Sequence, residues 1–191
     1  MYTVREAGSD DVPQLAWLRQ RWIAEQETGH QAEQDRGPGV EPADAGQPSA
    51  SVFEADFRRW MERNPRTFFV AGHGRELVGM VNLLVFERMP KPGQGTSCWV
   101  YLGNAYVLPD HRSTGIGTAL MKAALEFAQD IGAVRMVLAP SPKSAEFYAR
   151  LGFGPARELA VHRFTERHGE SGPGTRNRRD SLDADRPLGK G

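Results

Sequence analysis

One stretch of fifteen residues constrains this chain more than any other: Tyr106-Val107-Leu108-Pro109-Asp110-His111-Arg112-Ser113-Thr114-Gly115-Ile116-Gly117-Thr118-Ala119-Leu120. An apolar strand runs into Pro109, which cannot donate to a ladder, and two glycines spaced by one residue follow. Behind them Ile116, Leu120, Ala123, Ala124, Phe127 and Ile131 recur at helical spacing, with Lys122, Glu126, Gln129 and Asp130 on the other face and Gly132 as the stop. A strand feeding a helix through a glycine turn builds an anion site. The first N–H groups of the helix have no intrahelical partner and sit at the positive end of its dipole, and glycine lets a phosphate approach the backbone. The spacing fits neither the dinucleotide fingerprint, whose third glycine would fall on Leu120, nor a Walker loop, since no Gly-Lys-Ser/Thr follows.

The remaining periodicity places that turn in a mixed α/β sheet with helices on both faces. Thr3–Ala7 reads as a short strand. Ser9, Asp10 and Asp11 open a helix with Val12, Leu15, Leu18, Trp22 and Ile23 inward. Phe53, Phe57, Trp60 and Met61 mark a second helix, stopped by Asn64-Pro65. Thr67–Ala71 and Leu77–Phe86 make a hairpin around Gly72-His73-Gly74, Trp99–Val107 is the next strand, and Arg135–Ala139 a buried one. Pro142–Leu151 is a short helix, and Leu159–Phe164 reads as a last strand. Residues 26–51 contain four glycines, three prolines and one aliphatic side chain larger than alanine, Val40, so they read as a long loop between the first two helices. Residues 165–191 read as a flexible tail, with Leu182 and Leu188 their only large apolar side chains. The domain is thus expected to span 1–164.

Composition removes several classes of function. With 24 Lys and Arg against 24 Asp and Glu, the chain lacks the positive excess that binding to nucleic acid or an anionic membrane draws on. The single cysteine, Cys98, can form neither an internal disulfide nor a multi-thiolate metal site, and the histidines have no ligand spacing, so no metal is expected. The N-terminus lacks the basic and apolar blocks of a signal peptide, which points to a cytoplasmic protein. A homodimer is left open.

Two blocks resemble the GCN5-related N-acetyltransferases. Arg112-x-x-Gly115-x-Gly117, preceded by Val107-x-Pro109, is similar to that family's acetyl-CoA pyrophosphate loop after its fourth strand. Ser141-Pro142-Lys143-Ser144-Ala145-Glu146-Phe147-Tyr148-Ala149-Arg150-Leu151-Gly152-Phe153 is similar to its segment from the fifth strand into the fourth helix, with Ser141 where many relatives carry Asn. The resemblance implies a mostly antiparallel central sheet with a splay between the fourth and fifth strands. It also implies acetyl-CoA as acyl donor, held by Tyr106, Val107, Arg112, Ser113, Thr114, Gly115, Ile116, Gly117, Thr118, Ser141, Ser144 and Tyr148.

The reaction so implied is transfer of an acetyl group to a primary amine of a small molecule. The thioester carbonyl needs a fixed N–H donor, the amine must lose a proton and the thiolate must gain one. The resemblance assigns the first role to a backbone amide around Val107 and the last to the phenol of Tyr148. The base is not marked. Glu87, at the end of the long third strand, is the first candidate, Glu158 and His162 are others, and a water chain past Asn104 serves as well for an amine of pKa ~8. The residue-level alternatives are plain: Gly115 and Gly117 can serve a tight turn alone, Tyr148 can be a core aromatic, and Ser141 can cap a helix with Pro142 at its first position. The competing functions are acetylation of a peptide or protein N-terminus and a low-turnover acyl-CoA-binding module. A retained Tyr148 favours turnover over binding. Residues 26–51 are expected to roof the acceptor cleft.

Overall fold

The computed structural model describes residues 1–34 and 50–162. The chain separates into a unit of Met1–Ala156, which carries every helix and strand below, and a second of Arg157–Gly191. Five strands form one sheet in sequential order: β1 (Tyr2–Glu6), β2 (Thr67–His73), β3 (Glu76–Glu87), β4 (Cys98–Val107) and β5 (Ala133–Val137). The first four pair antiparallel, because each is joined to the next by a turn or by excursions that return on the same edge, and β5 joins parallel to β4 after a helical crossover.

Alternation along β2 and β3 sorts the core into two layers. Phe68, Val70, Leu77, Met80 and Tyr106 face α1 (Val12–Gln34) and α2 (Ala50–Arg63), where Leu15, Leu18 and Phe57 meet them. Ala71, Val81, Leu83, Val100 and Leu102 face α3 (Ile116–Asp130), against Ile116, Leu120, Met121 and Ala124. Phe147, Tyr148, Leu151 and Phe153, in and just after α4 (Ala145–Arg150), pack against this second layer. Gly79 lets α3 lie close on the sheet, since a Cβ there would meet Leu120 Cδ1 at 3.1 Å and Tyr106 O at 3.1 Å.

Three expectations need correction. The long loop is shorter than residues 26–51: α1 continues to Gln34 and α2 begins at Ala50, and only residues 35–49 fall outside the described part. Glu, Gln and Ala in that first stretch are good helix formers, and they outweigh the one glycine, Gly29. The last strand is absent over Leu159–His162, which carry no ladder; the remainder of that stretch and the tail at 165–191 lie outside the described residues. Finally, Ser9–Asp11 form a 3₁₀ turn rather than the first turn of α1. Asp11 closes that turn by accepting from Gly8 N–H at 2.8 Å and from both Arg5 Nη atoms at 2.6 and 2.8 Å. No described helix is long and apolar enough to cross a membrane.

Candidate active site

The site begins where a ladder stops. Parallel pairing of β4 with β5 ends at Tyr101 opposite Val137, while β4 runs on to Val107, so 102–107 have a sheet partner on one edge only. A β-bulge lies at the same place: Asn104 faces Asn82 and Leu102 faces Leu83, leaving Gly103 as the extra residue. A Cβ at 103 would stand 2.5 Å from Asn82 Oδ1, so any larger residue there would have to displace the Asn82 side chain. Beyond the bulge the direction of each amide is set by Leu108 N–H, which donates to Val78 O at 2.9 Å. By alternation Tyr106 and Asn104 also turn their amides toward β3, whereas Ala105 and Val107 point theirs at the open edge. The expected donor near Val107 is therefore one of a pair, and Ala105 is the one the sequence alone did not mark. Tyr106 presents neither its amide nor its phenol to that edge.

The strand leads into the anion turn. Ser113 has φ 61° and Gly115 φ 88°, two left-handed residues that fold the chain back so that α3 starts beside the open edge. The first intrahelical bond is Ala119 N–H to Gly115 O at 3.0 Å, so the N–H groups of Ile116, Gly117 and Thr118 have no partner within the helix. Gly115, as N-cap, supplies no side-chain oxygen to them. The side chain of Ile116 is buried in the core, and Thr114 Oγ1 donates to His111 O at 2.6 Å. This end of α3 presents backbone donors and dipole, which fits a pyrophosphate.

Arg112 does something the motif does not foretell. Its two Nη atoms each donate to Glu25 of α1 at 2.7 Å, its Nε donates to Val107 O at 2.9 Å, and its guanidinium lies 5.6 Å from the centre of the Tyr106 ring. Tyr106 OH donates to the same carboxylate at 3.1 Å. The guanidinium thus pins the anion turn to β4 and to α1. Hydrogen bonds from Arg112 hold the Glu25 carboxyl below its ordinary range, which leaves it a poor base, and burial followed by the Glu25 contact pushes the Tyr106 phenol up to about 12.

Helix α4 closes the other side of the turn. A Cβ at Gly117 would meet Phe147 Cζ at 3.5 Å, which places the start of α4 against the start of α3. Tyr148 is half-buried between Phe147 and Phe153, both edge-on, at 5.2 and 5.8 Å between ring centres. Its hydroxyl has no hydrogen-bond partner among the described residues, and burial raises its pKa, so the group carries its proton at neutral pH. Ser141 stands before Pro142 at the N-cap of a 3₁₀ turn, but its hydroxyl meets Ser144 Oγ at 2.9 Å instead of a backbone N–H. Capping by side chain is therefore not what Ser141 does.

Other expected residues fall elsewhere. Glu87 is exposed and pairs with Cys98, at the far end of β4 from Val107; nine residues at about 3.3 Å each put it roughly 30 Å along the strand from that amide. The structure does not bring Glu87 to the site, and direct proton abstraction by it is ruled out by that distance. Glu158 and His162 lie in the second unit and join no strand. Cys98 is buried, its Sγ 3.7 Å from Ile131 O. His73 and His111 form a ring cluster with Tyr2. Trp22 and Trp60 both pack against the α1/α2 layer.

Parallel strands that part beyond Tyr101, a helix start with free N–H groups and a half-buried phenol on α4 are the features that the resemblance leads one to expect. Comparison with known proteins gives the family. The family model for GNAT acetyltransferases matches residues 22–153, and the chain belongs to that family. The glucosamine 6-phosphate N-acetyltransferase of Trypanosoma brucei brucei is 29% identical over 99 residues, covering 52% of this chain and 65% of that protein. An uncharacterized N-acetyltransferase of Mycobacterium bovis is 31% identical over 107 residues, 54% of this chain and 63% of its own. The match thus spans less than two thirds of either relative. A crystal structure from Clostridium acetobutylicum, described as a predicted acetyltransferase with acetyl-CoA, superposes with a TM-score of 0.60 at 18% identity, covering 85% of this chain and 96% of that one. At that identity the likeness is one of fold.

Proposed function

We propose that this protein transfers the acetyl group of acetyl-CoA to a primary amine of a small molecule. The observation that carries the reading is the unpaired edge of β4, where two amides of known direction face an opening flanked by the start of α3 and by Tyr148. Acetyl-CoA supplies an activated acetyl thioester and a long phosphate-bearing handle. The residues that would hold its pyrophosphate are Arg112 to Thr118, through the backbone donors of Ile116, Gly117 and Thr118, with Arg112 acting on the turn rather than on phosphate.

Ala105 and Val107 would donate N–H to the thioester carbonyl and to the amide groups of the adjoining arm. Such donors, fixed before the reaction, stabilise charge where it develops on oxygen. Tyr148 would return a proton to the thiolate from its hydroxyl, which is free of any competing partner and keeps its proton in the working pH range. The amine's own proton would pass to solvent, since Glu87 is too distant and Glu25 too acidic to take it. Ser141 and Ser144, bonded to each other at the start of the α4 segment, would line the same groove.

The test is thiol release from acetyl-CoA by the purified full chain against amino acids, amino sugars, polyamines, aminoglycosides and short peptides. Amine-dependent release with a small molecule is expected. Release with peptides alone would move the acceptor class, and CoA-dependent thermal stabilisation without turnover on any amine would leave a binding module.

A further inference from the structure

The bulge at Gly103 carries a second group of polar residues, on the α1/α2 side of the sheet, that the chemistry above does not use. Asn82 is 3% exposed, one of two buried polar residues among those described. Its Nδ2 donates to Asn104 Oδ1 at 2.8 Å, and its Oδ1 receives only a long 3.4 Å contact from Arg66 Nη1. Arg66 is placed there by the end of α2: Asn64 Nδ2 donates to Trp60 O at 2.8 Å, Pro65 stops the helix, and Arg66 opens β2 with its guanidinium 5.0 Å from the centre of the Trp60 ring.

Arg66 lies over a tryptophan ring, as Arg19 does over Trp22, and a buried Nε sets it apart. Arg5, Arg58, Arg59 and Arg112 each have a carboxylate partner, whereas Arg66 has none among the described residues, and its Nε is buried without a hydrogen bond. The Nε donor so placed has been withdrawn from water without gaining a partner, which is unfavourable for a polar group. The Trp60 face offsets part of this, but a ring cannot satisfy in-plane N–H donors. The outward amide donors of Asn104 add to the same cluster, because its Oδ1 is already taken by Asn82. The result is a half-buried group of N–H donors with net positive charge, one residue along β4 from the Ala105 amide.

We infer that Arg66 and Asn104 seat an oxyanion of the acceptor, so that the preferred amine carries a carboxylate or a phosphate. The inference rests on the acetyl-transfer reading for the site as a whole. A planar guanidinium with free in-plane donors matches either oxyanion. The seat lies on the face of the sheet opposite to Tyr148, with the splayed edge between them, so an acceptor held by its acid group reaches the opening from the side away from α3 and α4.

The experiment compares matched amines on the full chain: an α-amino acid against its amide, and a hexosamine 6-phosphate against the hexosamine. The expected result is a kcat/KM at least tenfold higher for one acidic member over its neutral partner, collapsing to within about threefold in Arg66→Gln through a rise in KM. Asn104→Asp, which keeps the acceptor oxygen for Asn82 but turns a carboxylate toward the seat, should collapse the same ratio and guards against a folding defect at Arg66. The two pairs distinguish a carboxylate from a phosphate. Equal use of acidic and neutral members by the wild type, or a preference that survives both substitutions, overturns the inference while leaving acetyl transfer intact. If no amine is turned over, thermal stabilisation by the same acidic amines in the presence of CoA decides: a shift lost in Arg66→Gln supports the seat, and no shift in the wild type overturns it.

Discussion

Tyr148 is the residue whose assignment can be tested with least disturbance. Phenylalanine keeps both edge-on ring contacts and removes a hydroxyl that bonds to nothing described, so Tyr148→Phe should fold as well as the wild type. If the hydroxyl returns the proton to the thiolate, kcat should fall by ~10²-fold with KM for acetyl-CoA nearly unchanged, as steady-state thiol release would report. An unaltered kcat would hand that role to solvent. The residue scale is also where sequence reasoning was least complete. Tyr148, Gly115 and Gly117 stand out because they sit within a recognisable spacing. Glu25 and Arg66 stand out only in three dimensions, since an arginine with its partner 87 residues away and an arginine with no partner look alike in a string.

At the level of elements, α3 and its entry turn carry most of the proposed cofactor contacts. Gly117 has room for a methyl in ordinary contact with Phe147, so Gly117→Ala should leave the apo melting temperature within a few degrees. The same methyl intrudes where a phosphate would approach the helix start, and CoA-dependent stabilisation should shrink or vanish in a thermal-shift titration. An undiminished shift would place the pyrophosphate elsewhere. The link from this turn to α1 is open to a double-mutant cycle. Glu25→Gln and Arg112→Gln should each destabilise the fold modestly, and the double variant should cost less than their sum, with a coupling at or below about 1 kcal/mol because both side chains are partly exposed. Additive urea midpoints would mean that the pair contributes nothing. Helix and strand order were legible from periodicity, but the end of α1 was not, because polar helix formers beyond residue 25 give no apolar stripe to follow.

For the whole molecule, three shifted groups bound the pH range of stability. Asp11 and Glu25 lie below their ordinary values of 3.8 and 4.5 because arginine hydrogen bonds favour the ionised forms. Folding therefore gains from them fully above about pH 5, and that gain is lost as pH falls through their depressed folded values. Tyr106 runs the other way: its phenol is pushed from 10.0 up to about 12, so the unfolded chain ionises first and stability declines as pH rises above 10. Melting temperature against pH should show a plateau between these limits, and in Glu25→Gln the acid limb should lose part of its slope. A wild-type acid limb that Glu25→Gln leaves unchanged would assign it to Asp11 alone. The architecture as a whole was readable from alternating patterns, whereas over Leu159–His162 alternation alone did not make a strand, since a short run carries no ladder unless it is brought to an edge.

Gly103 has a consequence for how this sheet could have been built otherwise. Leu102 already faces Leu83, and Asn104 already faces Asn82, so removing the residue between them breaks no pair and leaves a continuous register. A chain without Gly103 would have a straighter β4, while Pro140 and the turn at Pro142–Ser144 would still end β5 soon after Val137. Such a variant should melt no lower than the wild type with the amides of Ala105 and Val107 still unpaired, so a loss of acetyl transfer in it would trace to the strand's changed direction, and unchanged transfer would show the bulge to be dispensable.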